Sequence, residues 1–162
     1  MNKLFVLPTL SALSLFAVSL SGSNVKAVFE IEKLEDAKQN HMVAKQNFKA
    51  NPTSENLHNE FLTAKFTFKG TKALSGAVKA SNAAKTDEDT LSYLQKREDH
   101  LNKRIKSATR RNLKDKLQKL EDDLTNVKAA LKNPELRKTY LNVRIAAASE
   151  RVKHMEEKLS IH

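Results

Sequence analysis

Apolar residues recur along this chain at steps of three and four, the spacing that lines one face of an α-helix. Leu34, Ala37, Ala44 and Phe48, with His41 completing the series, predict an amphipathic helix across 29–50. Leu57, Phe61, Ala64 and Phe68, followed by Leu74 and Val78, predict a second. A third and longest helix is expected across Thr90 to Leu131. Leu91, Leu94, Leu101, Ile105 and Ala108 keep one rhythm there, and Leu113, Leu117, Leu120, Leu124, Val127 and Leu131 alternate steps of four and three as a coiled-coil seam. Between Ala108 and Leu113 the step is five, so the register slips across "TRRNL". Unbroken, this helix would run about 60 Å at roughly 1.5 Å per residue. The last helix carries Leu141, Ile145, Ala148, Val152, Met155 and Leu159, with Leu136, Tyr140, Val143 and Ala147 widening its buried face and Ala146 to Ala148 admitting a close neighbour.

The punctuation between these stripes sets the architecture. Asn51-Pro52 and Asn133-Pro134 have the same chemistry: proline pushes the residue before it out of the helical region, asparagine caps, and proline fits the first helical position. Each is read as the corner of a helical hairpin. Thr86 is an N-cap candidate, with Asp87, Glu88 and Asp89 favourably placed at the positive end of the following helix. Gly70 and Gly76 weaken the second helix, or mark close packing. The fold class expected is all-α: an elongated helical bundle or antiparallel coiled coil of two hairpins, 28–85 and 86–162, in a single domain.

Residues 1–27 differ from the rest. Lys3 precedes an uncharged run, Leu4 to Leu20, and Val25-Lys26-Ala27 offers small residues at both positions of an A-x-A-like cleavage site. The run is interrupted by Pro8 and is shorter than the roughly 20 apolar residues a spanning helix prefers. A secretory signal peptide is the expectation, with the product exported to the periplasm or beyond. With no cysteine, disulfides, thiol nucleophiles and cysteine metal sites are excluded.

The chain is basic, with a formal net charge of +10, and removing residues 1–27 takes Lys3 and Lys26 and leaves +8. Such a field attracts polyanions without specifying a fold. The densest basic run is "KRIKSATRRNLKDKLQK". It supplies a candidate binding stripe of Lys103, Arg104, Lys106, Arg110, Arg111 and Lys114, of which Lys103, Lys106, Arg110 and Lys114 share one face if the long helix is continuous. The stripe lacks interleaved aromatics, which argues against stacking on single-stranded nucleic acid.

Catalytic chemistry has no comparable signature. The five histidines are scattered, with His41 read as an interfacial core residue, and the acidic groups read as caps and helix-surface ion pairs such as Asp99 with Lys103 or Asp115 with Lys119. No phosphate loop or nucleophile–base arrangement occurs, so no enzyme, cofactor or small-molecule substrate is expected. The expected role is protein–protein interaction outside the producing cytoplasm, as a secreted effector, an adhesion module or an envelope component. The seam Leu113 to Leu131 would close the bundle, drive homo-oligomer formation or receive a protein partner. The alternatives are a basic protein that binds a polyanion or membrane surface, and a periplasmic holding chaperone.

Overall fold

The computed structural model describes residues 29–161, and the expected secretory segment lies outside them. After a 3-10 turn at Ile31–Lys33 come five helices: α1 (Leu34–Ala50), α2 (Glu55–Ala83), α3 (Asp87–Arg110), α4 (Lys114–Lys132) and α5 (Pro134–Leu159). No strand occurs among the described residues. The architecture is an all-α bundle.

The helix starts follow side-chain capping. Thr86 Oγ1 accepts a hydrogen bond from the Asp89 amide at 3.0 Å and donates one to Asp89 Oδ2 at 2.8 Å, which satisfies an orphan donor of α3 and fixes the acidic first turn. Asn133 Oδ1 accepts from the Glu135 amide at 3.0 Å with Pro134 as the first helical residue, as expected. The first corner differs. Helix α2 is capped by Ser54, whose Oγ accepts from the Leu57 amide at 3.4 Å, so Pro52 lies in the turn and not in the helix. Asn51 there accepts a bond from Thr53 Oγ1 at 3.0 Å and holds the turn.

The larger correction concerns the long third helix. It is two antiparallel helices, α3 and α4, joined at 111–113, so the expected second hairpin is a three-helix unit. The seam folds back on itself: Leu94, Leu101 and Ala108 of α3 pack with Leu120, Val127 and Ala130 of α4 and with Tyr140 of α5. Leu117, Leu124 and Leu131 border this core, while Leu113 is exposed at the turn. Burying a leucine such as Leu94, Leu101 or Leu141 stabilises by about 1.5–3 kcal/mol relative to exposure, and all three are at most 1% exposed.

Helix α2 is the spine. It packs extensively against α5 and also carries α1. Small residues on α2, Ala80 and Ala83 among them, meet Leu141 and Ile145 of α5, and Tyr93 touches both clusters. The expected broad buried face of α5 is narrower than its apolar composition, because Leu136, Val143, Ala146 and Ala147 face outward. The small residues that permit close approach sit on α2 instead. Gly70 is buried against the Phe29 ring, whereas a side chain at Gly76 would meet open space. Thr90 ties the α2–α3 corner together by donating to Ala83 O at 2.7 Å.

Candidate interaction surface

The turn between α3 and α4 is a helix stop built without glycine. Asn112 takes a left-handed conformation, φ 51°, which asparagine tolerates better than most residues. The Asn112 amide donates to Thr109 O at 3.0 Å and the Leu113 amide to Ala108 O at 3.1 Å, the paired bonds of a Schellman motif. The next helix must therefore turn back, and the step of five between Ala108 and Leu113 is the length of this reversal.

That reversal rearranges the basic residues. Lys103, Arg104, Lys106 and Arg110 lie on α3, Arg111 in the turn, and Lys114, Lys116 and Lys119 on α4, so the expected straight stripe is a cluster around one tip. All eight side chains are exposed. Between 103 and 119 there are eight basic residues and one acid, Asp115, a net of +7. The described residues together carry +8, so everything outside the tip nets +1. Neither Asp99 with Lys103 nor Asp115 with Lys119 closes to an ion pair, and among the described residues none of the eight cations has an ion-pair partner. Lys114 and Lys116 also face the positive end of the α4 dipole, an unfavourable placement that folding alone does not require.

A half-buried polar network holds the base of this hairpin. Asp123 of α4 receives Arg97 of α3, Tyr140 Oη of α5 at 2.7 Å and Arg144 of α5 at 3.6 Å. Burial opposes ionisation of Asp123, but the hydrogen bonds from Tyr140 and Arg97 and the charges of Arg97 and Arg144 outweigh it, and the carboxyl titrates below its ordinary range. Burial and the bond to Asp123 push the Tyr140 hydroxyl well above its ordinary value. Two guanidiniums on one carboxylate, with both Arg Nε atoms buried and without a hydrogen-bond partner, fasten α3, α4 and α5 together.

The α1–α2 hairpin presents two further features. On one side the rings of Phe68, His41, Phe61, Phe48 and His58 form a continuous stack, with neighbouring centroids 5.0–5.7 Å apart. His41 is thus the interfacial residue expected, and burial together with Lys45, Lys65 and Lys69 lowers its pKa. On another side lies a shallow groove of ≈ 680 Å³ lined by Ala37, Asn40, Ala44 and Asn47 of α1 and Asn56, Thr63 and Thr67 of α2. Val43, 43% exposed, borders this groove, and Met42 beside it is 48% exposed. No group of histidines and carboxylates capable of holding a metal occurs among the described residues.

Of the residues singled out in the sequence, the structure gathers the basic ones at a single tip and spends most of the Leu113–Leu131 seam on the internal core. The Arg97–Asp123–Tyr140–Arg144 network was missed; Asp123 is the last of three consecutive acids, Glu121 to Asp123, and nothing in the sequence separates it from its two exposed neighbours. Comparison with known proteins yields no matching family model, curated protein or solved structure.

Proposed function

We propose that this protein is an exported, non-enzymatic binding module that docks an acidic macromolecular surface through the tip of the α3–α4 hairpin. The observation that carries the reading is the charge segregation: a net of +7 within 103–119, exposed and without ion-pair partners, on a body that nets +1. Long helices carry scattered lysines for solubility, but those are interleaved with acids along the helix. Here eight bases meet one acid within 103–119, whereas over the rest of the described residues the charges nearly cancel in total, the α2 lysines being offset by acids on other elements. The leader-like pattern of residues 1–27 supports action outside the producing cytoplasm.

A protein partner docking by apolar helix contact is the second reading. It is favoured by the α1–α2 groove and exposed Met42 and Val43, and no longer by the Leu113–Leu131 seam, most of which is covered. Ionic strength separates the two, because phosphate- or carboxylate-directed binding weakens steeply with salt while apolar docking persists.

The test compares two variants of equal net charge. One replaces Lys106, Arg110, Arg111 and Lys114 with Gln; the other replaces Lys49, Lys128, Lys132 and Lys153, all exposed and distant from the turn. On immobilised polyphosphate and polyglutamate the first should elute at far lower salt than the parent, and the second close to it. Equal loss in both would show that bulk charge, and no site, drives retention.

A further inference from the structure

The geometry points to one class of acidic surface: the structure assigns the tip to end-on contact with an anionic phospholipid bilayer. This rests on the reading of the tip as the docking element and narrows it to one partner.

The first argument is depth. Lys103 lies about 12 Å along the α3 axis from the turn, and Lys119 about 9 Å along α4, at roughly 1.5 Å per residue. All eight cations therefore stand within about one Debye length, roughly 8–10 Å at physiological to moderate salt, of a plane touching the apex or just beyond it. A planar array of headgroup charge engages them together.

The second argument is azimuth. On α3, steps of about 100° per residue put Lys103, Lys106 and Arg110 opposite the buried positions Leu101 and Ala108. On α4 the same steps turn Lys114 to one side of the buried Leu120 seam and Lys116 and Lys119 to the other. The charges form a collar around the hairpin, so a rod-like partner such as a nucleic-acid duplex laid along any one side would meet only part of them. A plane perpendicular to the hairpin axis meets them all.

The third argument is what the apex carries. Leu113 is 40% exposed between Arg111 and Lys114, a single apolar side chain positioned to enter the interface while the long cationic stems beside it reach headgroup phosphates. The tip has no aromatic residue on which bases could stack. No described helix is long and apolar enough to cross a membrane, so the contact is peripheral and reversible.

The test uses the purified protein with vesicles of phosphatidylcholine alone and of phosphatidylcholine mixed with phosphatidylserine, beside duplex DNA and polyglutamate as competing polyanions. Binding is expected to the anionic vesicles and not to the neutral ones, with loss at high salt. Removing one tip cation, as in Lys114→Gln, should weaken vesicle binding roughly five-fold, and Leu113→Ser should weaken vesicle binding while leaving polyglutamate binding unchanged. Because the chain has no cysteine, Leu113→Cys and Met42→Cys give single labelling sites. A polarity-sensitive label at 113 should shift on anionic vesicles and one at 42 should not. Tip-dependent binding to DNA or polyglutamate without vesicle binding would overturn the bilayer assignment and keep the tip as a polyanion site. Vesicle binding that survives neutralisation of Lys106, Arg110, Arg111 and Lys114, or binding to none of the three partners, would overturn both.

Discussion

Two glycines six residues apart on α2 provide a matched pair of opposite sign. Replacing glycine by alanine inside a helix gains about 0.8–1 kcal/mol from backbone entropy. At Gly76 the new Cβ meets nothing within 4 Å, so Gly76→Ala should realise that gain in full. At Gly70 the same Cβ would stand 2.7 Å from Phe29 Cδ1 and closer still to Cε1 and Cζ, a set of contacts no side chain sustains. The ring must leave, and Phe29 is 5% exposed in place, so its departure forfeits most of the roughly 1.5–3 kcal/mol that burying a phenylalanine contributes. The net for Gly70→Ala is then about 0.5–2 kcal/mol of destabilisation. The two single variants should melt about 5–15 °C apart, at roughly 3–5 °C per kcal/mol for a chain of this size. Circular dichroism at the helix band, followed through thermal and urea unfolding, reads the difference. In a Phe29→Ala background the penalty at Gly70 should vanish and both alanines should stabilise alike. If Gly70→Ala raises the melting temperature as much as Gly76→Ala in the parent chain, Phe29 is not seated on α2 and the account of this contact fails.

Asp123→Asn keeps the side chain's shape but leaves Arg97 and Arg144 without a counter-charge, and should cost on the order of 3–5 kcal/mol; an unchanged urea midpoint would show the network to be decorative. Since the Asp123 carboxyl titrates below its ordinary range in the fold, its contribution is fully present above the unfolded-state value near 3.9 and is lost as pH falls through the lower folded value. The stability gap between parent and Asp123→Asn should therefore be flat above about pH 5 and close on acidification. At the tip, Asn112→Val forces a β-branched residue to positive φ and should destabilise by roughly 1–2 kcal/mol, while Asn112→Gly should be neutral or better. Equal midpoints for the Val and Gly variants would mean that the turn does not depend on its left-handed residue.

Helix content and most corners were legible in the sequence because they depend on local chemistry. Thr86, Asn133 and Pro134 act within three residues of themselves, and they cap as their spacing predicts. The third helix was misjudged because its break has no Gly or Pro to announce it. The one cue, the step of five from Ala108 to Leu113, is equally a register slip in a continuous coil, and only the left-handed Asn112 decides between them. Pro52 misled in the other direction: Ser54, two residues on, offers a better-placed cap. The outward faces of Leu136 and Val143 could not be read from periodicity, since the apolar stripe of α5 is wider than the narrow face α2 covers. The composition of the basic tip was visible in the sequence. Its shape was not, because a linear stripe becomes a collar through the pairing of α3 with α4.

Helices α4 and α5 are joined by one residue, Asn133, which ends the first and caps the second. Arg137 stitches across that joint, donating to Ala130 O at 3.3 Å and to Leu131 O at 3.4 Å. A connection with two backbone torsions has no slack to absorb load. A pull or torque applied where α4 begins, beside Leu113, therefore travels down the helix and enters α5, which lies along α2. The hairpin is in mechanical terms a rigid lever and not a tethered arm, so a partner docked at its far end, as proposed above, would load the spine directly.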